Sequence, residues 1–157
     1  MTLYLVLKLA HLIGAAVLLG TGLGIAFFMV WADRTGDART IAATARIVVV
    51  ADLIFTASAV VLQPITGLLL ASQQGYRLTE AWIASSLGLY VLIGLCWLPV
   101  VWMQIRMRDL ADDAVLKGTT LPARYHRLMR IWFWLGWPAF AGVIAIYWLM
   151  LAKPTLI

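Results

Sequence analysis

The chain has 157 residues, of which 64% are hydrophobic and only 12% charged, and its mean hydropathy is +0.95. A soluble domain is about half apolar and about a quarter charged, so a water-soluble globular fold is excluded and an integral membrane protein is expected. The net charge of +5 is no nucleic-acid signature, because the basic residues fall between apolar blocks, where the positive-inside rule accounts for them.

Four apolar blocks follow one another: 3–31, 46–72, 81–104 and 130–152. Each can cross a hydrocarbon layer of about 30 Å at about 1.5 Å per residue. Backbone groups in lipid must be satisfied within the segment, which demands helices. The expected fold is all-α: an up-and-down bundle of four transmembrane helices in one domain, 1–157. The first block has no charged region ahead of it and no small-residue cleavage site. It is also too long for a signal peptide, so it is expected to remain as the first helix.

That helix carries Lys8 and His11 one turn apart, on one face. Ionisable groups inside a membrane segment are functional candidates by default. Ala16, Gly20 and Gly24 form a small-xxx-small stripe, with Gly14 and Gly22 adding small surface. The stripe predicts close packing inside the bundle, with a homodimer seam as the alternative. Trp31 closes the segment at an interface.

The second helix contains Asp52, Gln63 and Pro64, and the proline predicts a kink. Asp52 predicts an ion pair with Arg130 or Arg106, with Thr56 one turn on; a proton or cation relay is the alternative. The third helix opens with Trp82, carries Ser85 and Ser86, and ends in Trp97-Leu98-Pro99-Val100-Val101-Trp102. Cys96 lies within it as a small apolar residue. The charged stretch 104–120 is expected to lie on the membrane surface as a mildly amphipathic segment.

Thr120-Leu121-Pro122 predicts the start of the fourth helix, with threonine as cap. That helix carries His126, read as a surface residue, then Arg130, Trp132 and Pro138, and ends at Lys153-Pro154. Lys and Arg crowd the first and third connections, while the second holds only Arg77 and the tail only Lys153. The first and third connections are therefore expected in the cytoplasm and both termini outside.

With that topology, Lys8, His11, Gln63, Thr66, Ser85, Ser86, Tyr90 and Tyr147 fall in one layer of the outer leaflet. Polar groups from all four helices at one depth face one another or a bound group. His11 can serve as a haem iron ligand through a ring nitrogen, with Lys8 near a propionate. Its plainer role is a hydrogen bond to Gln63 or a serine. A haem here needs a methionine or another unusual second ligand, or stays five-coordinate, because His126 lies at the opposite end. No GxSxG, GxxxxGK[ST] or HExxH motif occurs, and no catalytic residue is nominated. The methionines are too scattered for a copper pathway.

Several stretches together resemble a bacterial family of predicted integral membrane proteins, domain of unknown function 2269. They are Tyr4-Leu5-Val6-Leu7-Lys8-Leu9-Ala10-His11-Leu12-Ile13-Gly14, the run from Trp97 to Arg108, Trp134-Leu135-Gly136-Trp137-Pro138-Ala139-Phe140, and Met150-Leu151-Ala152-Lys153-Pro154. The resemblance implies a four-helix inner-membrane protein. Lys8-x-x-His11 and the proline of a last helix ending in Lys153-Pro154 are more distantly similar to HemJ-type protoporphyrinogen oxidases, and His11 to the first-helix histidine of CopD copper-resistance membrane proteins. The HemJ likeness implies b-type haem on His11. Those oxidases carry a tryptophan where this chain has Leu18 and an Asn-Glu pair where it has Leu135 and Gly136, which speaks against their oxidation chemistry. Two functions are thus expected. One is haem binding near the outer face, for electron transfer or redox sensing. The other is a cofactor-free role as a membrane partner or an accessory to small-ion or copper transport.

Overall fold

The computed structural model describes residues 2–154 and is all helical among them. Four helices run up and down: α1 (Thr2–Thr35), α2 (Ala38–Gln73), α3 (Ala81–Lys117) and α4 (Ala123–Ala152). Each is long and apolar enough to cross a membrane. Large apolar side chains such as Phe27, Phe28, Val61, Leu95 and Leu151 stand exposed, as they must where lipid is the solvent.

The helices outrun the apolar blocks. α3 has 37 residues, about 55 Å of helix against about 30 Å of hydrocarbon. The excess falls where the first and third connections lie, here called the basic end; the other is the terminal end. The stretch 104–120 is therefore not a surface-lying segment. It continues α3 to Lys117, with Gln104, Met107, Ala111 and Ala114 buried at helical spacing. Lys117 and Asp113 pair one turn apart on its outside.

The main core sits at the basic end. It joins Ile25 and Met29 of α1, Ile41 and Ala45 of α2, Met103 and Met107 of α3, and Tyr125 and Met129 of α4. A smaller cluster of Ala71, Trp82, Ile83 and Leu149 closes the terminal end. Arg46 of α2 forks onto Asp112 of α3, with Nη2 at 2.7 Å, and ties the basic end from outside.

The connections explain where each helix stops. α1 ends at Gly36, in the left-handed region at φ +66°. Asp37 then caps α2 by accepting from the Thr40 amide (2.8 Å) and hydroxyl (2.6 Å). These bonds hold the Asp37 carboxyl below its usual range. Gly118 ends α3 with φ +63°, and Thr119 N–H closes back on the Ala114 carbonyl. Thr120 does not cap α4: the cap position is Pro122, which offers no side-chain acceptor. The proline's fixed extended approach starts the helix instead.

The pairing of helices leaves one end open. α1 packs along α2, α3 along α4, and the first half of α2 along α3. The second half of α2 makes no comparable backbone approach to α3 or α4, and α1 touches α4 little. Two hairpins thus join at the basic end and part toward the terminal end. Two tyrosines clasp them between: the Tyr90 hydroxyl donates to the Val60 carbonyl, and the Tyr147 hydroxyl to the Ala15 carbonyl. The first clasp follows from Pro64. Lacking an N–H, the proline leaves the carbonyl four residues earlier, that of Val60, without its helical partner, and Tyr90 supplies one.

The stripe of Ala16, Gly20 and Gly24 does not pack inside the chain. A β-carbon at Gly20, Gly22 or Gly24 would meet nothing within 4 Å. The glycines in close contact are Gly14, Gly67 and Gly142.

Candidate functional site in the cleft between the hairpins

The parted hairpins enclose a cleft of about 270 Å³ at the terminal end. Its walls are mostly apolar, and all four helices contribute. α1 gives Tyr4, Lys8 and His11; α2 gives Gln63 and Gly67; α3 gives Trp82, Ser86 and Tyr90; α4 gives Ile146 and Met150. Tyr76 and Lys153 stand at its mouth.

His11 is the most constrained polar group there. Its Nδ1 lies 2.8 Å from Thr66 Oγ1. The Thr66 hydroxyl has one hydrogen, and the Leu62 carbonyl, 2.8 Å away, takes it. With that hydrogen used, Thr66 Oγ1 accepts from the His11 tautomer protonated on Nδ1, which leaves Nε2 its lone pair. No described residue hydrogen-bonds that nitrogen. Gln63 Nε2 donates to the His11 carbonyl at 2.8 Å and fixes the helix behind the ring. Gly67 lets the ring lie close, since a β-carbon there would sit 3.2 Å from His11 Cε1.

The mouth is cationic and aromatic. Lys8 is exposed, its ammonium 5.7 Å from the Tyr4 ring centroid. Lys153 takes φ +41°, rare for a residue with a β-carbon. There its Nζ donates to the Tyr76 hydroxyl at 2.9 Å and lies 4.7 Å from that ring and 5.5 Å from Trp82. Tyr76 meets Trp82 edge to face, and Trp82 Nε1 donates to Glu80 at 2.9 Å.

The structure therefore brings Lys8, His11, Gln63, Ser86 and Tyr90 into one cleft, with Thr66 behind His11. Ser85 and Tyr147 do not line it: Ser85 is half-buried beside Ser86, and Tyr147 is spent on Ala15. Ser86 turns its hydroxyl onto the Trp82 carbonyl of its own helix. His11 bonds neither Gln63 nor a serine through its ring; the partner is Thr66. Sequence reasoning missed Tyr76, Trp82, Met150 and Lys153 as site residues. Met150 lies one turn beyond Tyr147, so the helical period on α4 carried a usable signal.

Asp52 departs most from expectation. It pairs with neither Arg130 nor Arg106. It is 4% exposed and accepts only a long bond, 3.4 Å, from Trp97 Nε1. Arg106 instead lies over the Trp102 ring, and Arg130 lines a groove between α1 and α4 at the basic end with Asp33, Arg34 and His126. Below that groove the Tyr125 phenol is fully buried, and burial together with the nearby Asp33 charge raises its pKa above the usual tyrosine range.

Among the described residues no group of three or more His, Cys, Asp or Glu could hold a metal ion. No curated protein and no solved structure matches the chain. One family does: the model for "Predicted integral membrane protein (DUF2269)" covers residues 5–154. With four membrane-length helices and a family match over nearly the whole chain, the protein is a multi-pass integral membrane protein and belongs to the DUF2269 family.

Proposed function

We propose that the cleft binds a b-type haem, with His11 as an iron ligand, and that the protein transfers electrons or senses redox state. The observation that carries this is the contact of His11 Nδ1 with Thr66, whose own hydrogen goes to the Leu62 carbonyl. A histidine whose Nδ1–H is fixed by a second group and whose Nε2 is free is arranged as metal-ligating histidines are. The donor set fits as well. Met150 lines the same cleft from the opposite hairpin, and imidazole with thioether is a known haem pair. Lys8 and Lys153 at the mouth suit the carboxylates of an amphipathic ring. When bound, haem would supply a one-electron couple.

The chain's own residues do the rest. Thr66 holds the imidazole proton, Gln63 and Gly67 set the position of the ring, and the apolar walls exclude water. At about 270 Å³ the cleft falls just below the roughly 300–1,000 Å³ common for ligand sites, so the hairpins would have to part above the tyrosine clasps to admit the ring system. The excess of Lys and Arg at the basic end supports a cytoplasmic position for it in a bacterium, with the cleft in the outer leaflet of the inner membrane.

The test is an absorption spectrum of the protein in mild detergent, from cells supplied with haem precursor, oxidised and then dithionite-reduced. A Soret band with sharp α and β bands on reduction is expected. His11→Ala should lose them, and Met150→Leu should keep the haem but change its coordination. A colourless wild-type protein, or an unchanged spectrum in His11→Ala, overturns the reading. It would leave a cofactor-free role, as a homodimer, a partner of another membrane protein or a transport accessory.

A further inference from the structure

The strongest group the cleft does not use is Asp52. It lies about two turns beyond Arg46, inside the apolar stretch of α2, where the helix widens into a five-residue π turn, Asp52–Thr56. The Ala57 amide donates to the Asp52 carbonyl across this turn. Such widened turns occur mostly as single insertions in α-helices, frequently at functional sites.

The chemistry around the carboxyl is short of donors. Oδ1 has only the long bond from Trp97, and Oδ2 has no partner. Thr56, one turn on and 6% exposed, also has an unpartnered hydroxyl oxygen. No described cation pairs with Asp52. Arg46 on its own helix is committed to Asp112. On α3 Cys96 adjoins Trp97 in sequence, and Arg106 lies over Trp102. Asp33 and Arg34 of α1 and Arg130 of α4 line the groove between those two helices, and Arg124 and Arg127 sit in the first turns of α4. An ionised carboxylate buried in this way has neither a counter-charge nor the two or three hydrogen bonds that stabilise one. Thr56 Oγ, one turn away and without another partner, can accept from the protonated carboxyl, whereas donating to the ionised form would still leave that form without a counter-charge.

We propose that Asp52 is a proton-binding site within the membrane, neutral at physiological pH and able to exchange its proton. A sodium-type cation fits the same position less well. It would need several more oxygen ligands than Asp52 and Thr56 provide. The site belongs to a stripe of buried positions on one face of α2, at 52, 56, 59, 63 and 66, which ends at Thr66 behind His11. Ala59 interrupts the polar run, so no continuous side-chain relay joins Asp52 to the cleft. The proton therefore exchanges with the basic end. Proton binding at Asp52 is independent of whether the cleft holds haem.

Dicyclohexylcarbodiimide tests it on the full-length protein in detergent or nanodiscs. A protonated acid gives its O–H proton to a carbodiimide nitrogen while the carboxyl oxygen bonds to the central carbon. The O-acylisourea then rearranges to an N-acylurea, so the whole reagent is added and nothing leaves. Peptide mass spectrometry should find Asp52 modified at neutral pH, with modification falling as alkali ionises the carboxyl. Infrared difference spectra of wild type against Asp52→Asn should show one protonated-carboxyl stretch, lost in the variant and shifted in heavy water. Asp52→Asn should fold as well as wild type, because it replaces a neutral group by a neutral group. Absence of that infrared band in the folded wild type overturns the proposal. So does protection from modification by sodium at constant pH, which would make the site a cation site.

Discussion

Two glycines on one helix allow packing to be separated from helix propensity. A β-carbon on Gly14 would sit 2.6 Å from Gln63 Nε2, whereas one on Gly20 meets nothing within 4 Å. Ordinary contact begins near 3.4 Å. In Gly14→Ala the Gln63 amide must retreat, and its bond to the His11 carbonyl goes with it. Side-chain hydrogen bonds in membranes are worth about 0.6 kcal/mol on average and about 1.7 at most. The atom met is the mobile end of the Gln63 side chain, so the clash itself is relieved cheaply and the lost bond is the main cost. Replacing a helical glycine by alanine returns up to about 1 kcal/mol. Gly20→Ala enjoys the same return without the clash, so the difference between the two variants isolates the lost Gln63 bond, about 0.6–1.7 kcal/mol. Unfolding free energies of both proteins, measured in one lipid or detergent mixture, provide the assay. Gly14→Ala should be less stable than Gly20→Ala, which should be neutral or slightly stabilised. If both lose stability equally, the stripe on α1 is packed against something and its open face in this structure is wrong.

The tyrosine clasp and the helix cap give two further tests. Tyr90→Phe leaves the Val60 carbonyl without a partner and should cost about 1–2 kcal/mol. Pro64→Ala restores a backbone N–H for that carbonyl, so the cost of Tyr90→Phe should shrink in its presence. A double-mutant cycle reads the coupling, and strict additivity would sink the account of the clasp. For Asp37 the folded pKa lies below the unfolded one, because Thr40 bonds the carboxylate. Its stabilisation is therefore present above the unfolded pKa, about 3.9, and lost as pH falls through the folded value. Asp37→Ala should melt below wild type at neutral pH, with the gap closing in acid; a gap that ignores pH would refute the cap.

The number of helices and their order were legible because lipid imposes one simple demand on sequence: long apolar runs. The ends were not, because a helix that leaves the bilayer trades that demand for the weaker one of amphipathic period. Gln104, Met107, Ala111 and Ala114 already repeat at helical spacing, but the same pattern describes a helix lying on a membrane surface. Only the partners Ile41, Ala45 and Tyr125 decide between the two. Depth arithmetic placed Lys8, His11, Gln63, Ser86 and Tyr90 at one level, because rise per residue is nearly constant in helices. It could not give rotation about each axis. That is why Tyr147 faces Ala15 rather than the cleft, and why Asp52 meets a tryptophan rather than an arginine.

The length of α3 has a consequence for how the protein floats. At the basic end the inner surface of the bundle runs on without a seam, from Met103 through Met107 to Ala111 and Ala114. Only the outward surface changes from lipid-facing to charged. A bilayer a few ångströms thicker or thinner can slide along that end without disturbing a packed contact, at a cost of fractions of a kcal/mol per Å. The terminal end has no such freedom, since Lys8, Lys153, Tyr76 and exposed Trp148 favour one level of headgroups. The cleft is thus moored at a constant depth below its own surface, and variation in membrane thickness is absorbed at the far side.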